Sequence, residues 1–317
     1  MKKKMTGVLS VIVLFATLVT PFVTKYQSVR AQDAEESKES ITLSPAISKP
    51  LAEAGSTLRG SLTVINDGET EYQFLVYARP FSVTSENYDP NYTEINERTE
   101  AYQWVQFEKT NVRLAAGERV EIPYTVTVPK KAKAGGHYAV LFAETQPKQA
   151  EGTQVTRKKR VGSLLYVTVD GNLINSGSLE GWDAKLWQKS KPIGAAIRIK
   201  NDGNVHFQVN SQVTFSNLFN KPRLQLNQEQ FVLPGTTRRI IANMEKTPAI
   251  GIYRVSGTVS FLDKKETLPS KWIILLPIQV VNLFIAAVAL LVAWQVLKPR
   301  IKARRSKSNA AARRGKK

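Results

Sequence analysis

The sequence contains no cysteine and only two histidines among its 317 residues. Without cysteine there are no disulfides, no thiol catalysis and no thiolate metal site, and two histidines do not make a His-rich zinc site. His137 and His206 fall in predicted strands of different domains, where a single imidazole is usually structural. No G-x-S-x-G elbow is present. We therefore predict no enzyme, no cofactor and no metal. A glycosidase-type carboxylate pair leaves no sequence signal, so a cell-wall-acting enzyme or enzyme accessory stays an alternative.

Acidic residues are few, and the net charge is +19. The first 31 residues hold five Lys/Arg and no acid, and residues 298–317 hold ten and no acid, which leaves +4 for the rest of the chain. A protein that binds nucleic acid concentrates its basic residues on the folded domain. The charge distribution therefore indicates no nucleic-acid partner.

The longest charge-free run covers residues 272–297. About 20 apolar residues cross a bilayer as a helix, and basic residues stay on the cytoplasmic side. We predict a transmembrane helix region at 272–297, with the span itself from about Ile278. We also predict a basic cytoplasmic tail at 298–317 that contacts anionic lipid. The preceding chain would be extracytoplasmic, on a single-pass plasma-membrane protein of a bacterium.

The N-terminus has a positive segment at Lys2–Lys4, an apolar run from Val8 to Val19 and a small-residue site at Val29–Ala31. This order is typical of a secretory signal peptide. We predict a signal peptide at 1–31 and a flexible leader at 32–40. An uncleaved first membrane helix is the alternative.

The chain between these ends has the pattern of an all-β protein that repeats itself. Residues 195–209 resemble 61–75, and both alternating strands close with Asn-Asp-Gly, at 66–68 and 201–203. Leu-Ala-Ala-Gly at 114–117 is matched by Leu-Pro-Gly at 233–235, and Gly-His-Tyr at 136–138 by Gly-Ile-Tyr at 251–253. Short strands with regular turns favour immunoglobulin-like sandwiches. We predict two tandem immunoglobulin-like β-sandwiches, at 41–171 and 172–270, followed by a single transmembrane α-helix.

These motifs, with Val-Gly-Ser-Leu-Leu-Tyr-Val-Thr-Val-Asp-Gly at 161–171 bridging the two domains, resemble the WxL-interacting surface proteins of Gram-positive bacteria. The resemblance covers nearly the whole chain. It implies a signal peptide, a peptidoglycan-binding first sandwich, a second sandwich for host or partner binding, one membrane helix and a basic tail. It transfers no role to particular residues.

Aromatic residues are the candidate binding residues. Four surround the long loop of the first domain, Tyr88, Tyr92, Tyr102 and Trp104, and two lie near an edge of the second, Trp182 and Trp187. Aromatic faces stack on sugar rings, so the first four suggest a glycan surface. The alternative places Tyr102 and Trp104 in the core. Trp182 and Trp187 either pack at the interdomain joint or anchor a partner.

The function predicted from these features is a non-enzymatic, membrane-anchored cell-surface protein. Its ectodomain would bind peptidoglycan or another cell-wall polymer, or partner surface proteins. The alternative is an extracytoplasmic assembly or chaperone factor that acts by edge-strand pairing.

Overall fold

The computed structural model describes residues 40–146 and 158–314. The predicted signal peptide, the leader up to residue 39 and the last three tail residues lie outside that range. The helices are α1 (Ala101–Trp104) and α2 (Ile278–Arg314). The strands are β1 Ile41–Ser44, β2 Ile47–Ser48, β3 Leu51–Ala52, β4 Thr57–Asn66, β5 Tyr72–Pro80, β6 Ser82–Val83, β7 Pro90–Asn91, β8 Val105–Phe107, β9 Asn111–Leu114, β10 Arg119–Thr127, β11 Gly135–Gln146, β12 Arg160–Val169, β13 Gly177–Asp183, β14 Trp187–Gln188, β15 Ile193–Asn201, β16 Phe207–Asn217, β17 Pro222–Val232, β18 Thr237–Met244, β19 Gly251–Phe261 and β20 Lys264–Leu275.

The first sandwich packs a sheet ordered β1-β4-β10-β8 against one ordered β2-β12-β11-β5-β9. The alternating apolar residues of β10 point inward, since Ile122, Tyr124 and Val126 are nearly fully buried. Both faces of β11 are buried, because Tyr138, Val140 and Phe142 face away from the sandwich core and into a second cluster. That second cluster leads to the neighbouring domain.

The second sandwich packs a sheet ordered β13-β15-β18 against one ordered β14-β20-β19-β16-β17. Phe215, Phe261 and Ile273 are among its fully buried residues. The chain therefore has the predicted all-β fold of two tandem immunoglobulin-like sandwiches. The first ends with β12 and the second begins with β13, on either side of the boundary expected near residue 171.

The repeated Asn-Asp-Gly motif has the same role in both sandwiches. Asn66 and Asn201 are fully buried. The Asn66 amide donates to the carbonyls of Thr70, Leu114 and Ala115, and its side-chain oxygen accepts from the N–H of Gly68. The equivalent bonds from Asn201 reach Val205, Val232 and Gly203. In each domain one asparagine thus joins the motif's own turn to the strand end before the next turn. The sequence repeat is a structural repeat.

The repeated Gly-x-Tyr motif also has a packing reason. A Cβ at Gly136 would lie 1.9 Å from the hydroxyl of Tyr138, and a Cβ at Gly251 would lie 2.7 Å from the ring of Tyr253. Each tyrosine ring therefore folds back over its own glycine at the start of β11 or β19. Only a residue without a side chain fits beneath the ring.

The predicted helix region at 272–297 is corrected at its start. Residues up to Leu275 finish β20, where Ile273 and Leu275 are fully buried in the second sandwich. The helix begins at Ile278, and Ile278–Pro299 is long and apolar enough to cross a membrane. The continuous apolar run therefore has two parts, a core strand and a helix that is long and apolar enough to cross a membrane. Helix α2 continues through the basic tail to Arg314.

Candidate partner-binding surfaces

An aromatic cluster joins the two sandwiches. Tyr138 and Tyr166, on the outer face of the first sandwich, meet His206 and Phe231 of the second. The ring centroids of Tyr138 and Tyr166 lie 5.0 Å apart, and those of Tyr166 and His206 lie 5.1 Å apart, both edge-on. Edge-to-face pairs at these distances stabilise beyond the area they bury. We call this cluster the joint.

Backbone contacts fix the joint at a second point. The N–H of Gly136 and the guanidinium of Arg98 both donate to the carbonyl of Asn204, at 2.8 and 2.9 Å. Gly135 has φ +124°, and a Cβ there would lie 2.5 Å from the same carbonyl oxygen. The backbones of the two domains therefore approach more closely than a side chain at position 135 allows.

The loop between β6 and β7, residues 84–89, reaches across to the second sandwich. Tyr88 has φ +65°, and its hydroxyl oxygen lies 2.6 Å from Thr236 Oγ1 and accepts from the N–H of Leu233 at 2.8 Å. The Arg238 guanidinium lies 4.0 Å from the Tyr88 ring centroid, a cation–π contact. Glu86 forms a bidentate ion pair with Arg198. Tyr88 is therefore a joint residue in this structure.

The other three candidate aromatic residues of the first domain do not form one exposed surface with Tyr88. Tyr92 packs edge-on against Phe142 at 5.0 Å, on the outer sheet face beside the joint. Tyr102 is partly buried against the core of the first sandwich, and Trp104 is 6% exposed within it. The expected four-residue cluster divides into two pairs, one at the joint and one in the core, and neither pair forms an open stacking surface.

Trp182 and Trp187 lie against β20 instead of the joint. The indole N–H of Trp182 donates to the carbonyl of Pro269 at 2.7 Å. The indole N–H of Trp187 donates at 2.8 Å to the carbonyl of Leu276, between β20 and α2. The hydrogen bonds of both indoles therefore stay within the second domain, and the alternative that these residues anchor a partner stays a prediction. Strand β14 pairs with the last residues of β20, and this pairing places Trp187 near the start of α2.

Burial controls the electrostatics of the joint. It lowers the pKa of His206 to about 4, with a smaller contribution from the charge of Lys49. It also raises the pKa of the Tyr88, Tyr138 and Tyr166 hydroxyls. The imidazole is therefore neutral at physiological pH. His137, the other histidine, packs on Trp104 at 4.7 Å and bonds the carbonyl of Lys133 through Nε2.

The two sandwiches differ in their sheet edges. In the first, every outermost strand is two to four residues long, and the long strand β12 is covered by β2 and β3 in parallel pairing. In the second, β17 is outermost and 11 residues long, and it pairs only with β16. Strand β17 is therefore the longest open edge in the described part of the chain.

Strand β18 is also outermost and pairs only with β15, but it is shorter, at 8 residues. Two other edges of the second sandwich carry features that discourage strand pairing. Strand β20 carries Lys264, Lys265, Pro269 and Lys271, and β13 has a bulge between Leu179 and Gly181. Strand β17 has Pro222 and Arg223 only at its start. Leu224 and Leu226 are partly packed on the core, the residues from Asn227 to Gln230 are polar with one charge at Glu229, and no lysine is present. The sequence analysis predicted neither this edge nor the end of the domain beside α2, because its candidate binding residues were all aromatic.

Among the described residues, no group of three or more His, Cys, Asp or Glu side chains is arranged to hold a metal ion.

Comparison with known proteins gives no family. No family model matches the chain, and no curated protein matches it. Among solved structures, the class 5 fimbriae chaperone CfaA has 12% identity and a TM-score of 0.37 over 74% of this chain and 99% of its own. The CsuC–CsuE chaperone–tip subunit complex of Acinetobacter baumannii has 14% and 0.39 over 74% and 98%. A PapD-like domain of human CEP192 has 14% and 0.29 over 41% and 84%. These likenesses are distant, and the strand pairing above establishes the fold by itself.

Proposed function

We propose that this protein is a non-enzymatic, membrane-anchored cell-surface protein that binds partner proteins by adding a strand to the open edge of β17. The observation that carries the proposal is the 11-residue edge, paired on one side only and without a protecting lysine. An open edge offers a row of backbone donors and acceptors to an extended segment of another chain. Affinity would come from backbone hydrogen bonds and specificity from the exposed side chains beside them.

The joint supports the proposal because it gives the edge a fixed support. Aromatic packing, the Asn204 carbonyl and the 84–89 loop hold the two sandwiches together. Of the four aromatics that suggested a glycan surface, Tyr88 and Tyr92 pack at or beside the joint, and the other two pack in the core of the first sandwich. Binding to peptidoglycan or another wall polymer is therefore the second candidate function, and only the resemblance to WxL-interacting proteins supports it. Membership of that family is likewise a proposal.

The proposed placement follows from the two ends of the chain. Helix α2 would anchor the protein in the plasma membrane as a single span, with the basic tail on the cytoplasmic side and both sandwiches outside. The predicted signal peptide at 1–31 would direct the export. The two imidazoles, which would be the natural groups for proton transfer, are engaged in packing, and this favours binding over catalysis.

The test uses the full chain in lipid nanodiscs as bait for solubilised surface proteins and, in parallel, for cell-wall sacculi. The variants are Asn227→Pro and Gln228→Pro in the middle of β17. Neighbouring N–H groups of a strand point to opposite edges, so one proline removes an outward N–H and the other breaks the ladder to β16. The melting temperature shows which proline lies at the open edge, because only the variant that loses a hydrogen bond to β16 melts at a substantially lower temperature.

We expect the proline variant with the near-native melting temperature to lose the captured protein. The control Asn227→Ala keeps the N–H while removing the side chain, and it should retain the partner. Capture that survives the tolerated proline would contradict edge-strand binding. Retention on sacculi without capture of a protein would replace the proposal with wall-polymer binding.

A further inference from the structure

One end of the second sandwich adjoins the start of α2. We call it the proximal end, and it comprises residues 184–192, the β16–β17 turn at 218–221, the 245–250 loop and the 276–277 junction. The strand register brings these segments together, because Gly251 pairs with Leu275, Asn217 with Tyr253, and Trp187 with Ile274. Only two residues separate β20 from α2. At about 3.3 Å per residue, the end of β20 therefore lies within about 10 Å of the first turn of the helix, and the other segments lie beside it at the same end of the sheet.

Exposed apolar side chains concentrate at this end. Of the eleven large hydrophobic residues that are exposed among the described residues before α2, five lie in these segments and two more lie on the adjoining strands β19 and β20. They are Leu186, Trp187, Leu218, Phe219, Ile250, Ile252 and Trp272. Phe219, at the tip of the β16–β17 turn, is 78% exposed. Clustered exposed apolar groups mark an interaction surface, whereas scattered single ones do not.

The apolar tips stand among basic side chains. A groove of about 460 Å³ between the 218–223 and 244–253 segments is lined by Phe219, Ile250 and Ile252 and by the cations Arg223 and Lys246. Lys185 and Lys189 flank Trp187 in the neighbouring segment. Apolar and aromatic tips with a basic surround are the composition of a surface that lies in the headgroup region of a bilayer. The cations match anionic phospholipid headgroups.

We propose that the proximal end is a membrane-docking surface. The tips of the 218–221 turn and the 248–252 segment would enter the bilayer interface around α2, with Arg223 and Lys246 on anionic headgroup phosphates. The hydrogen bond from Trp187 to the Leu276 carbonyl would tie this surface to the helix junction. The proposal rests on the proposed function in one respect, the membrane span of α2. It adds a second attachment, so the ectodomain stands in a fixed orientation on the membrane.

The experiment measures the depth of spin labels, since the chain has no cysteine to remove. Single-cysteine variants Phe219→Cys, Asp263→Cys and Ala286→Cys are made in the full chain, labelled and placed in nanodiscs that contain 30 to 40% anionic phospholipid. Collision with oxygen reports lipid, and collision with a water-soluble nickel complex reports solvent. Asp263, in the β19–β20 turn, is the control at the opposite end of an 11-residue strand. Ala286, inside α2, tests the span itself.

We expect the nickel accessibility at position 219 to be several-fold below that at 263, with 286 the least accessible. Arg223→Gln with Lys246→Gln should raise the accessibility at 219 at least twofold, and so should zwitterionic lipid. The distant pair Arg59→Gln with Lys265→Gln should leave it unchanged. If the label at 286 is in lipid and the label at 219 is fully accessible to nickel, docking is overturned and the membrane anchor stands. If the label at 286 is itself in water, both docking and the anchor are overturned. Strong dipolar coupling between labels at 219 would assign the surface to a second copy and overturn the proposal.

Discussion

The two sandwiches are built on the same buried asparagine and glycine–tyrosine pairs, yet their surfaces differ. The first covers its outer sheet with the joint and covers β12 with β2 and β3. The second leaves β17 unpaired on one side and carries exposed apolar tips beside α2. The difference shows that the duplicated motifs specify the scaffold and not the contact surfaces. Under the proposed function, the first sandwich would act as support and the second would offer the binding surfaces.

The largest expected effect on stability comes from replacing the buried asparagine that the two sandwiches share. Asn66→Ala removes an amide whose two N–H groups serve three carbonyls, one of them shared, and one accepted bond, and Asn201→Ala removes two donated bonds and one accepted bond. Each change takes a donor away from at least one buried backbone carbonyl, at about 1–3 kcal/mol per group left without a partner and before relaxation. We expect each to lower the free energy of unfolding by about 3 kcal/mol, measured by chemical denaturation, with Asn66→Ala at least as damaging.

The control for this pair is asparagine to aspartate. Aspartate retains the oxygen that accepts from Gly68 or Gly203 but cannot donate to the carbonyls, and it adds a buried charge. It should therefore be no better tolerated than alanine. An aspartate variant with native stability would contradict the view that the donated bonds hold the two turns.

The joint is tested by a pair of glycines with positive φ. Gly135 has φ +124° and meets Asn204 across the joint, whereas Gly117 has φ +75° and open space around the position that a Cβ would take, with no atom within 4 Å. Gly117→Ala has only backbone strain, about 1 kcal/mol. We expect Gly135→Ala to cost about 1–2 kcal/mol more, because the domains must move apart. Denaturation gives the stabilities, and hydrogen exchange at Gly136 reports the joint. Equal costs for the two variants would show that the joint accommodates a methyl group.

The scaffold was predictable from the sequence for a physical reason. Alternation on β10 and repeated turn motifs are local signals, and the structure confirms two immunoglobulin-like sandwiches with a helix that is long and apolar enough to cross a membrane. The site was less predictable, because burial depends on which surfaces meet. Tyr88 and Tyr92 lie in a polar loop by sequence, but that loop folds onto other aromatic residues that are distant in the chain. Trp272 to Leu275 share their apolar character with the helix that follows, so the sequence analysis included them in one helix region although it began the span itself near Ile278.

A change in pH should weaken the joint through His206. The pKa of this imidazole is lowered to about 4, below about 6.5 in the unfolded chain, so between these values the unfolded chain binds more protons. Stability therefore falls as the pH falls from about 6.5 to about 4, and by about 1 kcal/mol at pH 5.5 relative to pH 7.5. His206→Gln should remove this part of the pH dependence, measured as the difference in unfolding free energy between the two pH values. If His206→Gln leaves this difference unchanged, a group other than His206 causes the pH dependence.

The smallest expected effect distinguishes packing from charge at the joint. Glu86 and Arg198 form a bidentate pair across the two sandwiches, but their side chains are 41% and 42% exposed. The guanidinium lowers the pKa of the Glu86 carboxyl, yet solvent and salt screen an exposed pair of this kind. Glu86→Gln keeps the backbone carbonyl that accepts from the N–H of Arg239. We expect its melting temperature to match the parent's at low and at high salt. A fall as large as that of Gly135→Ala, abolished by salt, would mean that charge and not aromatic packing holds the first sandwich to the second.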